Sequence, residues 1–311
     1  MTISIAKSTV ILNDLTAKFD AGVLSYTPLY NRICLTNPSN RDTEKYAMMG
    51  SLPGVREFLG DRQFQELSSA TYELKNKTWE SSLLIDRHNM ADDWMGMYGP
   101  VLQQLGLEAS AHPDELLFDP TTGLLTLAES TVGWDGQFHI DTDHVWGDSG
   151  SQSNALSGGN ADIAAVGNPT AAEAKLMFND ARIQMLSYKN DKGKYLNRAI
   201  SSQQQLAIIC NPLAEQGFRE AVSAATVSTG GVNVTIDAPQ IFVTPYCATS
   251  KWYLVNLSSV ARPFIFQARS PLQRQMKDAT DIEQKNIKFM TEARYNMGFG
   301  AWWTIVLTTT S

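Results

Sequence analysis

The fold of this chain is decided by residues 83–119, LLIDRHNMADDWMGMYGPVLQQLGLEASAHPDELLFD. Apolar side chains recur there at helical spacing and predict one buried stripe: Met90, Trp94, Met97, Tyr98, Val101 and Leu105. We predict a long helix over residues 89–112, with Asn89 as its cap and Pro113 ending it, because proline cannot continue the hydrogen-bond ladder. Pro100 predicts a bend in the middle of this helix.

Length and charge limit the classes of protein to consider. A chain of 311 residues exceeds the usual single-domain size, so we expect two lobes. The net charge of −7 argues against a general nucleic-acid binder, whose affinity comes from Lys and Arg. No apolar run approaches the about 18 residues that span a bilayer, and no signal core is visible, so we expect a cytoplasmic protein. The three cysteines are widely spaced and predict buried reduced thiols.

Residues 1–43 have the pattern of an arm. A short helical repeat of apolar residues, Leu12, Leu15, Phe19 and Val23, is followed by polar, turn-rich sequence. The segment is too short to form a core of its own. We therefore expect these side chains to pack on the body of the same chain or, as we favour for Leu12, Leu15 and Phe19, on a neighbouring subunit.

Residues 44–85 suggest a long excursion. The runs 69–74 and 78–85 have strand character on either side of the polar residues 75–77, so we predict a β-hairpin with its tip there. A two-stranded ribbon is marginal alone in water, which favours a partner on another molecule. The alternative is a hairpin folded onto its own domain. Two aromatic residues are candidate contacts: Tyr72 and Trp79.

The second half begins with residues 147–162, a Gly/Ser/Asn-rich segment that marks a domain boundary. Thr170 and Glu173 form a capping-box pattern before a clear helix. Its predicted buried stripe is Ala174, Met177, Phe178, Ala181, Met185 and Tyr188. An apolar strand at 206–210, a helix starting at Asn211-Pro212 and strands at 232–236, 240–245 and 252–256 complete an α/β lobe.

Several blocks together resemble a known family. They are LPGVREFLGDRQF, Tyr72, NKTWE, IDR, ADDWMGMYGPVLQQLG, AHPDELLF and DGQFHIDTDH, followed near the carboxyl end by RPFIFQARSP and EARYNMGFGAWW. Their order and spacing are similar to the major head subunits of Mu-like tailed bacteriophages. Between residues 146 and 250 the resemblance is only topological. The resemblance implies an α+β chain with the Hong Kong 97-like capsid fold.

The parts of that fold can be placed on this sequence. The resemblance implies an N-terminal arm at 1–43, an extended loop at 44–85, and a peripheral domain formed by 86–146 and 257–311. It also implies an axial α/β domain at 147–256. The long helix at 89–112 would be the spine helix of the peripheral domain. The runs at 263–268 and 284–307 would be strands that pair beneath it.

The resemblance also implies a function. A major capsid protein assembles with itself into hexamers and pentamers of an icosahedral shell, with double-stranded DNA on the inner face without sequence specificity. Further implied partners are a scaffolding protein, a portal and a decoration protein, with assembly in the host cytoplasm and a final location in the virion. The alternative is an encapsulin shell with an enzyme cargo. The candidate intersubunit contacts are Leu12, Leu15, Phe19, Arg56, Glu57, Asp61, Arg62, Tyr72 and Trp79.

Catalytic chemistry has little support in the sequence. The run HIDTDH would place His139, Asp141 and Asp143 on one face of a strand over 137–145, and a metal-dependent hydrolase could use them. Strand alternation alone does not produce tetrahedral geometry, so a hydrogen-bonded turn is the favoured interpretation. No nucleophile elbow or phosphate-binding loop is present. We therefore expect a non-enzymatic protein without a cofactor.

Overall fold

The computed structural model describes residues 5–49, 69–86, 96–146, 150–223, 238–277 and 286–311. Its helices are α1 (Ile5–Ser25), α2 (Tyr30–Ile33), α3 (Tyr98–Phe118), α4 (Leu124–Leu127), α5 (Ala171–Ser187) and α6 (Pro212–Ser223). None of these described helices is long and apolar enough to span a bilayer.

The strands are β1 (Cys34–Pro38), β2 (Thr43–Met49), β3 (Ser69–Lys75), β4 (Lys77–Asp86), β5 (His144–Val145), β6 (Ser151–Gln152), β7 (Ala155–Ser157), β8 (Leu206–Cys210), β9 (Gln240–Val243), β10 (Lys251–Asn256), β11 (Phe264–Lys277), β12 (Asn286–Phe299) and β13 (Ile305–Thr309). Within the described ranges they form two larger sheets and two short ribbons. The predicted strand at 232–236 lies outside the described residues.

The first sheet has the strand order β1-β11-β12-β4. Strand β12 alternates between buried and more exposed residues, as expected for a strand with one covered face. Phe289, Ala293 and Tyr295 lie on its buried face. Helix α1 and helix α3 cover this face, so the sheet and the two helices enclose one apolar layer.

The second sheet has the order β7-β13-β10-β8-β9, and helices α5 and α6 pack on it. Strand β8 is buried at every residue, which is typical of a central strand covered on both faces. The capping box of Thr170 and Glu173 is confirmed, and all six residues of the predicted α5 stripe are buried. The helix predicted from Asn211-Pro212 is confirmed as α6, with the Asn211 side chain accepting from the Leu213 N–H at 3.0 Å.

The prediction that residues 284–307 pair entirely beneath the spine helix is wrong at its end. Strands β11 and β12 do pair with each other in the first sheet, but β13 pairs with β10 in the second. Ile305 and Leu307 face one apolar cluster while Val306 faces the other. A strand with both faces apolar is stable only as an interior strand, which explains why β13 joins the second sheet.

The predicted bounds of the long helix are also corrected. Residues 89–95, including Trp94, lie outside the described residues, and Gly96 and Met97 are not helical. Helix α3 begins at Tyr98, so Pro100 lies in its first turn, where its missing N–H would have had no partner. The bend expected from a central proline therefore has no basis.

The expectation that Pro113 ends this helix is wrong, because α3 continues to Phe118. A proline inside a helix costs about 3 kcal/mol. Leu117 and Phe118, in the following turn, are fully or almost fully buried. Burying each such side chain contributes about 1.5–3 kcal/mol, enough to offset the proline. Local propensity predicted a stop that tertiary packing overrides.

The buried face of α3 also differs from the predicted stripe. Met97 and Val101 are 56% and 44% exposed, whereas Leu102, Gly106 and Leu117 are buried. Tyr98 and Leu105 of the predicted stripe are half-buried and pack against the apolar layer, so the stripe is confirmed at these two residues. The buried face is centred on Leu102 and Gly106 because helix α1 lies along them. The spacing of apolar residues does not show which element a helix packs against.

The predicted hairpin at 69–85 is wrong in its pairing, although both strands exist. Strand β3 pairs with β2, and β4 pairs with β12 in the first sheet. Only Asn76 separates β3 from β4, and one residue is too short for a hairpin turn. Asn76 is 5% exposed and donates to Ser39 Oγ at 2.8 Å and to the Arg41 carbonyl at 2.7 Å. Asn76 is therefore a buried link between β3 and β4, with the exposed Lys75 and Lys77 on either side of it.

The strand predicted over 137–145 is corrected, because only its end, the two-residue strand β5, is a strand. The short apolar run at 124–127, which has the composition of a strand, forms helix α4. Asp119 Oδ1 accepts from the N–H groups of Thr121 and Thr122 and turns the chain into α4. Short apolar runs do not distinguish a strand from a buried helical turn.

The cysteines are buried free thiols, as predicted. Burial raises the pKa of Cys210 and of Cys247 to about 12. The thiolate is the reactive form of cysteine, so these two side chains behave as small apolar groups.

Candidate functional site

The structural counterpart of the predicted arm is helix α1, which lies against helix α3. A Cβ atom on Gly22 would lie 1.9 Å from the Gln103 carbonyl oxygen, and one on Gly106 would lie 2.2 Å from that of Phe19. The two backbones therefore touch at both glycines. An isolated glycine inside a helical pattern often has such a packing reason, so Gly106 was detectable in the sequence.

The side chains of the arm are used inside the subunit. Leu15 and Phe19 are 5% and 1% exposed and pack with Leu102 and Phe289, with the Phe19 and Phe289 rings 5.1 Å apart. The expectation that Leu15 and Phe19 pack on a neighbouring subunit is therefore wrong, because the body of the same chain already buries them. The side chain of Leu12 lies outside the described part of the chain.

Asp114 anchors the segment that follows α1. This carboxylate is 2% exposed and accepts from Tyr26 Oη at 2.7 Å, from the Leu29 N–H at 2.8 Å and from the Tyr30 N–H at 2.7 Å. Burial and the bond to Asp114 raise the pKa of Tyr26. Sequence reasoning missed Asp114, because its partners are more than 80 residues away.

Trp79 and Tyr72 also contact their own chain. Trp79 is half-buried, donates from Nε1 to the Tyr295 carbonyl at 3.0 Å and lies 4.5 Å from the His112 ring. The Tyr72 ring lies where a Cβ on Gly298 would be, 2.9 Å away. Tyr72 therefore joins β3 to β12, and Trp79 joins β4 to β12 and to α3. An additional contact with a neighbouring subunit stays a prediction.

The four charged candidates, Arg56, Glu57, Asp61 and Arg62, lie outside the described residues. In sequence they fall between the end of β2 and the start of β3. The antiparallel ribbon of β2 and β3 carries a Lys45–Glu73 ion pair at 2.6 Å on its exposed surface. Their role in intersubunit contacts stays a prediction, and the ribbon identifies where this segment leaves and rejoins the described chain.

The HIDTDH run forms a turn and not a metal site. His139 is buried, with its ring 5.0 Å from Phe299, whereas His144 stacks 4.0 Å from Trp302. Asp141 Oδ1 accepts from the N–H groups of Thr142 at 2.7 Å and Asp143 at 3.4 Å, and the second bond closes the turn that the sequence favoured. Among the described residues no group of three or more His, Cys, Asp or Glu could hold a metal ion. The strand face proposed for a hydrolase site therefore does not form.

One buried histidine of this region, His139, has a pKa far below its usual value. Burial, together with the nearby His144, lowers the pKa of His139 to about 3. His144 Nε2 lies 2.5 Å from Asp135 Oδ2. His139 is therefore neutral in the folded protein over a range in which an unfolded histidine is protonated.

We expect His139 to make the fold acid-sensitive. Its pKa is about 3 when folded and about 6.5 when unfolded, so the stability it contributes is complete above pH 6.5 and is lost as pH falls toward 3. His139→Phe keeps an aromatic ring and removes the titration. Urea unfolding at several pH values should show a smaller loss of stability below pH 6.5 in this variant. Equal pH dependence in both proteins would contradict the assignment.

Comparison with known proteins matches most of the chain to one family. The sequence model described as "Mu-like prophage major head subunit gpT" matches residues 9–169 and 248–310. The Mu-like prophage FluMu major head subunit of Haemophilus influenzae is 35% identical over 129 residues, which are 42% of this chain and 41% of that protein. The major capsid protein of Escherichia phage Mu is 32% identical over 126 residues, 40% of each chain. These alignments span about two fifths of each relative.

Solved structures show the same fold over nearly the whole chain. The procapsid of bacteriophage JBD30 superposes with a TM-score of 0.59, covering 99% of this chain and 77% of that chain at 21% identity. The predicted capsid fold class is confirmed by this likeness. Residues 170–247, which the family model leaves unmatched, are included in the structural match.

Proposed function

This chain belongs to the Mu-like prophage major head subunit gpT family, and from that premise we propose that it is the major capsid protein of a Mu-like tailed bacteriophage. It assembles with itself into hexamers and pentamers of an icosahedral shell that encloses double-stranded DNA. The family match over both the first half and the carboxyl end carries this proposal. The family match also favours a head subunit over the encapsulin alternative.

The domain assignment follows with two revisions. The first sheet with α3 is the peripheral domain, and this sheet includes β1 from the predicted arm and β4 from the predicted extended loop beside β11 and β12. The second sheet is the axial domain, and β13 belongs to it through its pairing with β10. The chain therefore crosses between the two domains once more than the sequence alone implied.

Other partners follow from the same role. A scaffolding protein, a portal and a decoration protein act with the subunit, which assembles in the host cytoplasm and ends in the virion. Each subunit must present different surfaces to different neighbours, because rings about a symmetry axis use head-to-tail contacts. Obligate interfaces of this kind bury roughly 2,000–5,000 Å².

Electron microscopy and sedimentation of the purified protein test the proposal directly. Shells, or rings of five or six subunits, are the expected result. A monodisperse monomer at every concentration and salt condition, or a particle that encloses an enzyme cargo when made in a bacterium, would contradict a capsid role.

Arg56, Glu57, Asp61 and Arg62 provide a sharper test. We propose that residues 50–68 lie over an adjacent subunit, since they join the free ends of the β2–β3 ribbon and their mixed charge suits an interface rim. Replacing residues 52–66 by a short Gly-Ser link should leave a folded subunit that does not close shells. The cut avoids β3, which pairs with β2, and β4, whose removal would take a strand from the first sheet.

The matched variant is the charge exchange Asp61→Arg with Arg62→Asp, which retains length and net charge. It should raise the concentration needed for assembly about tenfold, equivalent to about 1.4 kcal/mol. Circular dichroism checks folding in both variants. Normal shells from the shortened protein would show that this segment is not an assembly contact.

A further inference from the structure

A strongly basic loop follows helix α5 and takes no part in the contacts described above. This basic loop, residues 188–198, contains four cations, Lys189, Lys192, Lys194 and Arg198, in a chain whose net charge is −7. Asp191 is its only carboxylate. Lys192, Lys194 and Arg198 are exposed, and Tyr195 is 54% exposed between them. The sequence analysis gave this segment no function.

The tip of the basic loop is held by its own backbone and by Asn190. The Asn190 side chain is 7% exposed and accepts from the N–H groups of Lys192 at 3.0 Å and Lys194 at 2.8 Å. The backbone N–H of Asn190 donates to the Lys194 carbonyl at 2.8 Å. Gly193 has φ +72°, a conformation that favours glycine. The lysine side chains are not needed for this turn.

The base of the basic loop is fixed to the core by Asn197. This side chain is 3% exposed, donates to the carbonyls of Met185 at 2.8 Å and Trp303 at 2.7 Å, and accepts from Asn256 at 3.1 Å. The loop is thus pre-organised, so a ligand binding to it pays little ordering entropy.

Two of the four cations of the basic loop, Lys194 and Arg198, form no ion pair with any described residue. Lys189 Nζ lies 5.2 Å from the centre of the Tyr195 ring. The negative end of the α5 helix dipole lies next to the loop and favours cations there. The experiment must therefore distinguish stabilisation of the helix end from ligand binding.

We propose that the basic loop binds the phosphodiester backbone of DNA. This inference rests on the proposed capsid function, which places DNA inside the shell, and it assigns the contact to specific residues. Lysine and arginine neutralise phosphates, and an exposed tyrosine among them adds a hydrogen-bond donor and a stacking surface. Interfaces between proteins are instead depleted in lysine. The large exposed side chains of this loop are mainly cationic, which favours DNA over a second copy of the chain.

The expected affinity is low for one subunit and depends on salt. Each phosphate neutralised on duplex DNA contributes about −0.9 to the slope of log affinity against log salt. Three or four contacts from one loop therefore give a slope of about −3. Many loops on one shell would act on the same DNA, and multivalency raises the overall strength without new contacts.

The experiment measures binding of the full-length, unassembled subunit to a fluorescent duplex of about 30 base pairs, by anisotropy from about 50 to 200 mM salt. The variant Lys194→Gln with Arg198→Gln should lower affinity at least about fivefold and make the slope shallower by about 1.8. The control, Lys277→Gln with Lys288→Gln, removes the same charge from exposed lysines paired across β11 and β12 and should bind like the wild type.

Four outcomes would overturn the inference. Absence of wild-type binding at the lowest salt would show that the loop does not bind DNA. An equal loss of DNA affinity in the loop variant and the control would show only a general effect of charge. A lower melting temperature of the loop variant with unchanged DNA affinity would assign the cations to helix stability. Failed shell assembly with unchanged DNA affinity would assign the loop to contacts between copies. If the wild type forms no shells but the titration follows expectation, the capsid proposal fails separately.

Discussion

Gly106→Ala is expected to push helix α1 away from helix α3 and to lower the free energy of unfolding by about 3 kcal/mol. The added Cβ would lie 2.2 Å from the Phe19 carbonyl oxygen and 3.0 Å from the Val23 nitrogen. Both are backbone atoms, so no side-chain rotation relieves the overlap. Separation of the helices would also expose Phe19, now 1% exposed. Urea unfolding and limited proteolysis within residues 5–25 measure the two effects.

Gly99→Ala is the matched control in the same helix. Its Cβ would meet only the flexible Lys18 side chain, at 3.8 Å, and alanine favours a helix by about 1 kcal/mol over glycine. We expect this variant to be as stable as the wild type or more so. If Gly106→Ala unfolds at the same urea concentration as Gly99→Ala, then α1 does not lie on α3 as the structure shows.

Asp114→Ala is expected to cost about 3 kcal/mol or more. The change leaves three donors without their acceptor, the Tyr26 hydroxyl and the N–H groups of Leu29 and Tyr30, in a site that is 2% exposed. Unsatisfied buried donors carry their full desolvation cost. The segment between α1 and α2 should loosen, which hydrogen exchange of residues 26–33 would detect together with the drop in unfolding free energy.

Glu108→Ala removes a carboxylate from the exposed side of the same helix. The exposed Glu108 carboxylate accepts a hydrogen bond from Gln104 Nε2 at 2.6 Å, and exposed substitutions usually change stability by no more than about 0.5 kcal/mol. Equal effects of the two changes would show that Asp114 is not an anchor. Asp114→Asn should fall between them, because the amide retains one acceptor oxygen.

The second lobe was predictable because its signals are local. The capping box of Thr170 and Glu173 lies within one turn, and the six-residue stripe of α5 needs only helical spacing to be recognised. The same holds for Asn211-Pro212 at the start of α6. The predicted bounds of the spine helix were wrong at both ends. At the C-terminal end, proline propensity predicted a stop at Pro113, and the burial of Leu117 and Phe118 outweighs it.

The partners of the proposed contact residues are distant in sequence, so they could not be predicted from it. Leu15 and Phe19 were recognised as needing burial, but the sequence could not say that Leu102 and Phe289 provide it. Trp79 was recognised as a contact residue, and its partner is the Tyr295 carbonyl on the neighbouring strand. Asp114 gave no signal at all, because its three donors are close only after folding.

By itself the sequence determined the family, the capsid fold class and most helices and strands, since these depend on ordered motifs, on residues within one turn and on the alternation of apolar side chains. Only the tertiary structure decided that β3 pairs with β2, that β4 pairs with β12 and that β13 joins the second sheet. Strand pairing is a choice among distant segments with similar backbones, and the choice is made by the side chains that are buried together. The single residue Asn76, buried among Ser39 and Arg41, separates what looked like two arms of one hairpin.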